Sequence, residues 1–417
     1  KEHTQAESSH SEFCNTLTLS PYHPATTRAP MPTLNSAHSL TPLQKQWWIV
    51  AGSYGLMIIA GVLWLQREAL TFGWVLRWAL LAALFLTVEL LILHRNLRKN
   101  RPSPDAPLRA SLGWGNALTL LRGAAYGLMA GFLFAPRPGG LLDWIPAILY
   151  ISAIAADYCD GYLARITHHT TLLGEILDIE FDGLGMLVAM ALAVQYGQLP
   201  GIVLLLAAGR PLFLWGMKLR ARWGLPNHPM TPSDERRIAA GLLMGFMGIV
   251  LWPLFRPPAT HIAGAVFGGA VALSFLRDWL VVIGWLQPTS PAYQRWRVWL
   301  KRFLFEWLPA VLRLASLPAL LWLYTSLSPT AAGGTLPLPL LGLGLLIGLA
   351  ALLGIIARLA ALGLIGLACA TLILRGESLE VLVLLGVGVL LVTLGNGKLA
   401  LWTPDERFLR RRAGSAG

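Results

Sequence analysis

Apolar residues run through this chain in blocks of about twenty, separated by short stretches that gather Lys, Arg, Pro and Gly. A hydrocarbon layer about 30 Å thick needs about 20 residues of helix to cross it. Each block therefore predicts a membrane-crossing helix. The blocks fall near 47–65 and 74–93, then near 117–135, 144–161, 174–196, 201–217, 238–255 and 262–285. Further blocks fall near 303–327, 337–354, 356–374 and 378–395. The expected fold class is all-α, a polytopic integral membrane protein of about twelve transmembrane helices. Residues 1–45 carry no such block and are rich in Ser, Thr, His and Pro. They predict a disordered tail with no secretory signal before the first span, and Met31 is a candidate start.

Composition sharpens this picture. With 55% hydrophobic and 13% charged residues and 17 tryptophans, the chain is not a soluble domain. A net charge of +12 raises nucleic acid as a partner, but the basic residues sit in short loops between apolar runs. That pattern fits membrane lipids with an anionic surface, and no nucleic acid. Lys218, Arg220, Arg222, Arg236 and Arg237, and later Arg295, Arg297, Lys301 and Arg302, fall on one side of the expected topology. Arg67, Arg137, Arg256 and Arg375 fall on the other. The richer side is expected to be cytoplasmic. Cys14, Cys159 and Cys369 are too few and too scattered for a disulfide framework or a zinc site.

The chemistry concentrates in DYCDGYLARITHHTTLLGEILDIEFD, Asp157 to Asp182. Asp157, Asp160, Gly161 and Ala164 stand at i, i+3, i+4 and i+7, one face of a helix. Gly174, Asp178 and Asp182 stand at i, i+4 and i+8, again one face. Two helices pressed together on these faces would gather four carboxylates. Inside hydrocarbon such a group needs a cation or a water-filled cavity. Carboxylates offer hard oxygen ligands, which suit Mg²⁺, Mn²⁺ or Ca²⁺. Arg165 would meet a phosphate with its planar fork of donors. Metal, arginine and a spare carboxylate are the parts that phosphoryl transfer requires.

The pattern Asp-x2-Asp-Gly-x2-Ala-Arg-x8-Gly-x3-Asp-x3-Asp resembles the signature of the CDP-alcohol phosphotransferase family at every fixed position. The resemblance implies a six-helix membrane core that transfers a phospho-alcohol from a CDP-alcohol, with CDP-diacylglycerol the foremost candidate, to an acceptor alcohol, releasing CMP. It implies Mg²⁺ or Mn²⁺, in one or two ions, held by Asp157, Asp160, Asp178 and Asp182, with Asp182 also the general base. Gly161, Ala164, Arg165 and Gly174 would meet the nucleotide and its phosphates. Asn116, Thr119 and Arg122, in NALTLLR, resemble the family's first-helix pattern and would line the nucleotide side. A homodimer is left open. The alternative is a transporter or scaffold that keeps the fold without turnover.

The expected organisation is a tail over 1–45, two extra helices and a basic linker over 46–109, a transferase domain over 110–288 and a four-helix domain over 289–417. Arg210 interrupts an apolar run, so it is expected to face the bundle interior and to bind the acceptor. Where phosphatidylglycerophosphate synthases of the family carry Gly-Lys-x-x-Thr, this chain has NHPMTPSDERR, Asn227 to Arg237. That acceptor is therefore not carried over. Glu89 is expected to snorkel towards water, Arg277 with Asp278 to form an interfacial pair, and His168 and His169 to lie in a polar loop. Ala357 to Leu374 and Leu394 to Trp402 loosely resemble the DoxX-like membrane family.

Overall fold

The computed structural model describes residues 36–68, 70–167, 169–230, 234–326, 338–375 and 378–402. Met31 and His168 lie outside them. All the regular elements among the described residues are helical, with one isolated bridge between Ile355 and Trp402. The chain divides into two compact units, Lys1–Trp279 and Leu280–Gly417. The first holds α1 (Ser36–Arg67), α2 (Phe72–Asn96), α3 (Gly113–Ala130), α4 (Ile145–Ile166) and α5 (Leu172–Gln195). It continues with α6 (Leu204–Ala207), α7 (Gly209–Arg222), α8 (Asp234–Val250) and most of α9 (Ala259–Val282). The last ten residues of the expected tail are helical, because α1 begins at Ser36.

Among the described residues, Leu40–Arg67, Phe72–Lys99, Gly140–Gly161 and Ala259–Val282 are long and apolar enough to cross a membrane. Gly201–Ala207 with Gly209–Arg222, bent by 60° at the break, would make a fifth. The shortfall from about twelve has a physical cause. α5 carries Glu175, Asp178, Glu180 and Asp182, and α3 carries Asn116 and Arg122, so these two helices are too polar to qualify. Others, such as Leu379–Val392, are apolar but short.

Small residues set how closely the first helices meet. Gly123 and Gly127 of α3, and Gly131 just past its end, stand at i, i+4 and i+8, and α2 packs against them. A Cβ on Gly123 would lie 2.5 Å from Glu89 Oε2, one on Gly131 2.5 Å from the Trp78 ring, and one on Gly127 within the Leu86 side chain. This is the small-residue spacing that lets membrane helices approach. Gly185 of α5 likewise makes room for the Tyr126 ring. The resulting core joins Trp74 and Trp78 of α2 to Tyr126 and Met129 of α3, Tyr150 of α4 and Val188 of α5. Gly127→Leu should therefore cost about 1–3 kcal/mol by overpacking. Its thermal midpoint in detergent should fall. Gly52→Leu on α1, where a Cβ meets nothing within 4 Å, should leave it unchanged. Equal midpoints for the two variants would refute this packing.

The second unit contains α10 (Pro291–Arg302), a π-helical turn Phe303–Trp307, α11 (Leu308–Ser326), α12 (Leu338–Leu353), α13 (Ala357–Arg375) and α14 (Leu379–Leu394). Arg313, buried in α11, donates to the carbonyls of Lys398 and Leu399. Lys398 Nζ reaches Glu306 Oε2 at 2.8 Å. These bonds tie the segment after α14 back onto the start of α11.

Candidate active site

Three helices of the first unit build the site. α3 packs most extensively against α4, and also against α5. Asp157 and Asp160 come from α4, Asp178 and Asp182 from α5, and Arg122 from α3 stands among all four. The guanidinium donates through Nη1 to Asp157 Oδ1 and through Nη2 to Asp178 Oδ1 at 2.6 Å. Asp160 Oδ2 lies 3.4 Å from Nη1, and Asp182 Oδ1 lies 3.3 Å from Nη2. The Arg122 side chain is completely buried, whereas those of Asp157, Asp178 and Asp182 are 35%, 46% and 33% exposed. The cluster is thus closed behind by arginine and open on the carboxylate side.

Neighbouring residues hold this arrangement in register. Thr119, one turn before Arg122, places its Oγ1 2.9 Å from Asp160 Oδ2 and 3.2 Å from Gly115 O. Its one hydrogen favours the nearer carboxylate. Thr171 caps α5 by accepting from Gly174 N at 3.1 Å. Asn116 Nδ2 donates to Leu112 O at 2.8 Å and Thr171 Oγ1 at 3.3 Å. A Cβ on Gly174 would lie 2.5 Å from Asn116 Oδ1, so this glycine is where α5 meets α3. Gly161 leaves space for the guanidinium of Arg165, whose Nη1 would stand 3.3 Å from a Cβ there. Ala164 lies on α4 between them; its side chain is outside the described set.

The donor set fits a hard divalent cation. One carboxylate oxygen from each of Asp157, Asp160 and Asp178 lies within 4.8 Å of the others. Asp182 Oδ1 is buried and makes no hydrogen bond. Oxygen donors alone, one of them unsatisfied, match Mg²⁺ or Mn²⁺ better than softer metals. The model for the CDP-alcohol phosphatidyltransferase family matches residues 114–285, which begin in α3 and hold all four aspartates. These residues belong to that family. A curated relative is the CDP-diacylglycerol–glycerol-3-phosphate 3-phosphatidyltransferase of Cereibacter sphaeroides, 35% identical over 107 residues. The match covers 25% of this chain and 48% of the relative, so the chain spans about half the length of the curated relative it matches. No solved structure matches.

Outside the cluster, the first unit departs from several expectations. Arg210 is not brought to the carboxylates; it sits at the start of α7, half-exposed, 3.8 Å from Glu180 Oε1. Asp178 and Asp182 share a face of α5, and Glu180 lies on another. Asp278 does pair with Arg277, at 3.0 Å, and is buried, with Arg236 of α8 a second partner at 2.8 Å. Glu89 does not snorkel. It is completely buried beside Gly123, with Tyr54 Oη 3.3 Å from its Oε2. His169 does lie in the loop between α4 and α5, where Arg109 Nη1 approaches its Nδ1 at 3.1 Å and Ser111 O its Nε2 at 3.0 Å. With Ser111, Gly113, Trp114 and Thr167 it lines an open cavity of about 330 Å³. The sequence reading missed Arg122 as the centre of the cluster. The signal was its i, i+3 spacing from Thr119, which puts both residues on one face of α3.

Proposed function

We propose that this chain is a polytopic membrane phosphotransferase that moves a phospho-alcohol group from a CDP-alcohol lipid to an acceptor hydroxyl and releases CMP. The convergence of four signature aspartates around one open cluster carries this reading. The relative's name supports CDP-diacylglycerol as the donor. The absent Gly-Lys-x-x-Thr leaves glycerol-3-phosphate without its expected contacts. Residues 110–288 would form the six-helix core within a total of about twelve spans, flanked by the helix pair of 46–109 and the domain of 289–417.

A divalent cation held by Asp157, Asp160, Asp178 and Asp182 supplies neutralisation of the donor's pyrophosphate oxygens. Arg165 binds a phosphate oxygen through charge-assisted hydrogen bonds. Thr119 and Asn116 fix the carboxylates and the helix ends that surround the nucleotide. Asp182 takes the proton of the acceptor hydroxyl. The freed oxygen attacks the β-phosphorus, the bond from that phosphorus to the CMP oxygen breaks, and CMP leaves with the electron pair. Arg210 lies outside the cluster and serves the acceptor only if the acceptor extends towards α7.

Loop charge supports an active site at the cytoplasmic face. One assay tests both reaction and side, because CDP compounds do not cross membranes. Inverted vesicles containing the protein should release CMP from CDP-diacylglycerol with at least one acceptor alcohol, in an Mg²⁺- or Mn²⁺-dependent manner. Sealed right-side-out vesicles should not. Nucleotide binding without CMP release across an acceptor panel would favour the scaffold reading.

A further inference from the structure

Two buried polar atoms at one helix interface lack partners. Glu89 of α2 is completely buried, and its Oε1 makes no hydrogen bond. Arg122 of α3 is completely buried, and its Nε makes none. One is an acceptor and the other a donor. Unmet buried polar groups are rare in folded proteins, and each calls for a cause. Glu89 reaches α3 at the residue next to Arg122, where its Oε2 would stand 2.5 Å from a Cβ on Gly123. Tyr54 of α1 lies beside it, its hydroxyl donating to Leu120 O at 2.8 Å and standing 3.3 Å from Glu89 Oε2.

Arg122 also occupies oxygens that a divalent cation needs. Asp157, Asp160 and Asp178 form the ligand group, and the guanidinium contacts all three. A guanidinium and a dication cannot share them without strong repulsion at low dielectric. The arginine has to withdraw as the ion enters. A withdrawn, buried guanidinium needs another anion.

We propose that Glu89 is a positioning residue for the transferase site, the anion that receives the Arg122 guanidinium when a divalent cation takes its place among the aspartates. This rests on reading the aspartate cluster as a metal site. It gives the N-terminal helix pair a part in the reaction, since Glu89 and Tyr54 both lie there. Metal affinity then depends on a residue that touches no metal ligand.

The test is Mn²⁺ binding to the purified full chain, followed by electron paramagnetic resonance without substrate. Glu89→Gln, nearly isosteric, should weaken Mn²⁺ binding by roughly 5- to 100-fold, the usual span of coupling between sites. Arg122→Ala has no guanidinium to displace and should bind Mn²⁺ at least as tightly as wild type. Adding Glu89→Gln to Arg122→Ala should change affinity by less than about twofold, as for uncoupled positions. Should Glu89→Gln fail to elute as a folded protein, Glu89→Asp keeps the charge and should weaken binding less than about fivefold, below the lower end of that span. Wild-type affinity in Glu89→Gln, or equal weakening with and without Arg122, would overturn the proposal. If wild type binds Mn²⁺ and Asp178→Asn weakens that binding while Glu89→Gln has no effect, only the role of Glu89 falls. If wild type binds no Mn²⁺, the metal reading falls and this proposal falls with it.

Discussion

Asp182→Asn should cut CMP release by at least about 10²-fold, because general base catalysis alone contributes about 10²–10⁴-fold. The substitution keeps the side chain's shape and removes one negative charge and the proton acceptor. Asp182 Oδ1 makes no hydrogen bond and lies 3.3 Å from Arg122 Nη2, against 2.6 Å for Asp178, so its loss should disturb the packing less. The variant should therefore remain extractable and bind CDP-alcohol with only partly weakened affinity. Asp178→Asn offers a contrast. Its carboxylate belongs to the group within 4.8 Å, so its loss should act through metal affinity and be partly recovered by added Mg²⁺ or Mn²⁺. CMP release at titrated metal separates the two. Wild-type rates in Asp182→Asn would show that another group takes the proton.

Arg122→Ala should be the most damaging substitution to the metal-free protein. It leaves four carboxylates from two helices gathered beside a third with no arginine among them. Removing one partner from a buried ion pair costs about 3–5 kcal/mol, and here one cation serves four anions. In chelator the thermal midpoint should fall well below that of wild type. Mg²⁺ or Mn²⁺ should then raise it more in the variant than in wild type, because the ion replaces the missing charge. Arg122→Lys keeps a charge without the planar fork and should lie between. A variant as stable as wild type in chelator would mean that the carboxylates are held by other means.

The aspartates were legible because helical periodicity alone puts Asp157 with Asp160, and Asp178 with Asp182, on facing stripes. Periodicity within one helix does not say what a second helix inserts between them. Arg122 could be placed on a face of α3 with Thr119, but its position among the carboxylates depends on how α3, α4 and α5 cross. Glu89 shows the same limit. The apolar block ends near residue 93, which puts Glu89 close to the water. α2 runs on to Asn96, which puts it about two turns inside, and Gly123 opens the space it fills. Arg210 was less legible: an arginine in an apolar run says that it needs an anion, not which one, and Glu180 on another face of α5 lies 3.8 Å away.

The four-carboxylate arginine also bears on how the chain enters its membrane. Synthesis delivers Arg122 before any of the aspartates that neutralise it, and the last of them arrives only when α5 is complete. A lone buried arginine is poorly tolerated by lipid, and so is a helix carrying Asp178 and Asp182. α3 therefore has reason to stay sheltered at the insertion machinery until α4 and α5 have emerged. The three helices would then be released into lipid together, with their charges already joined.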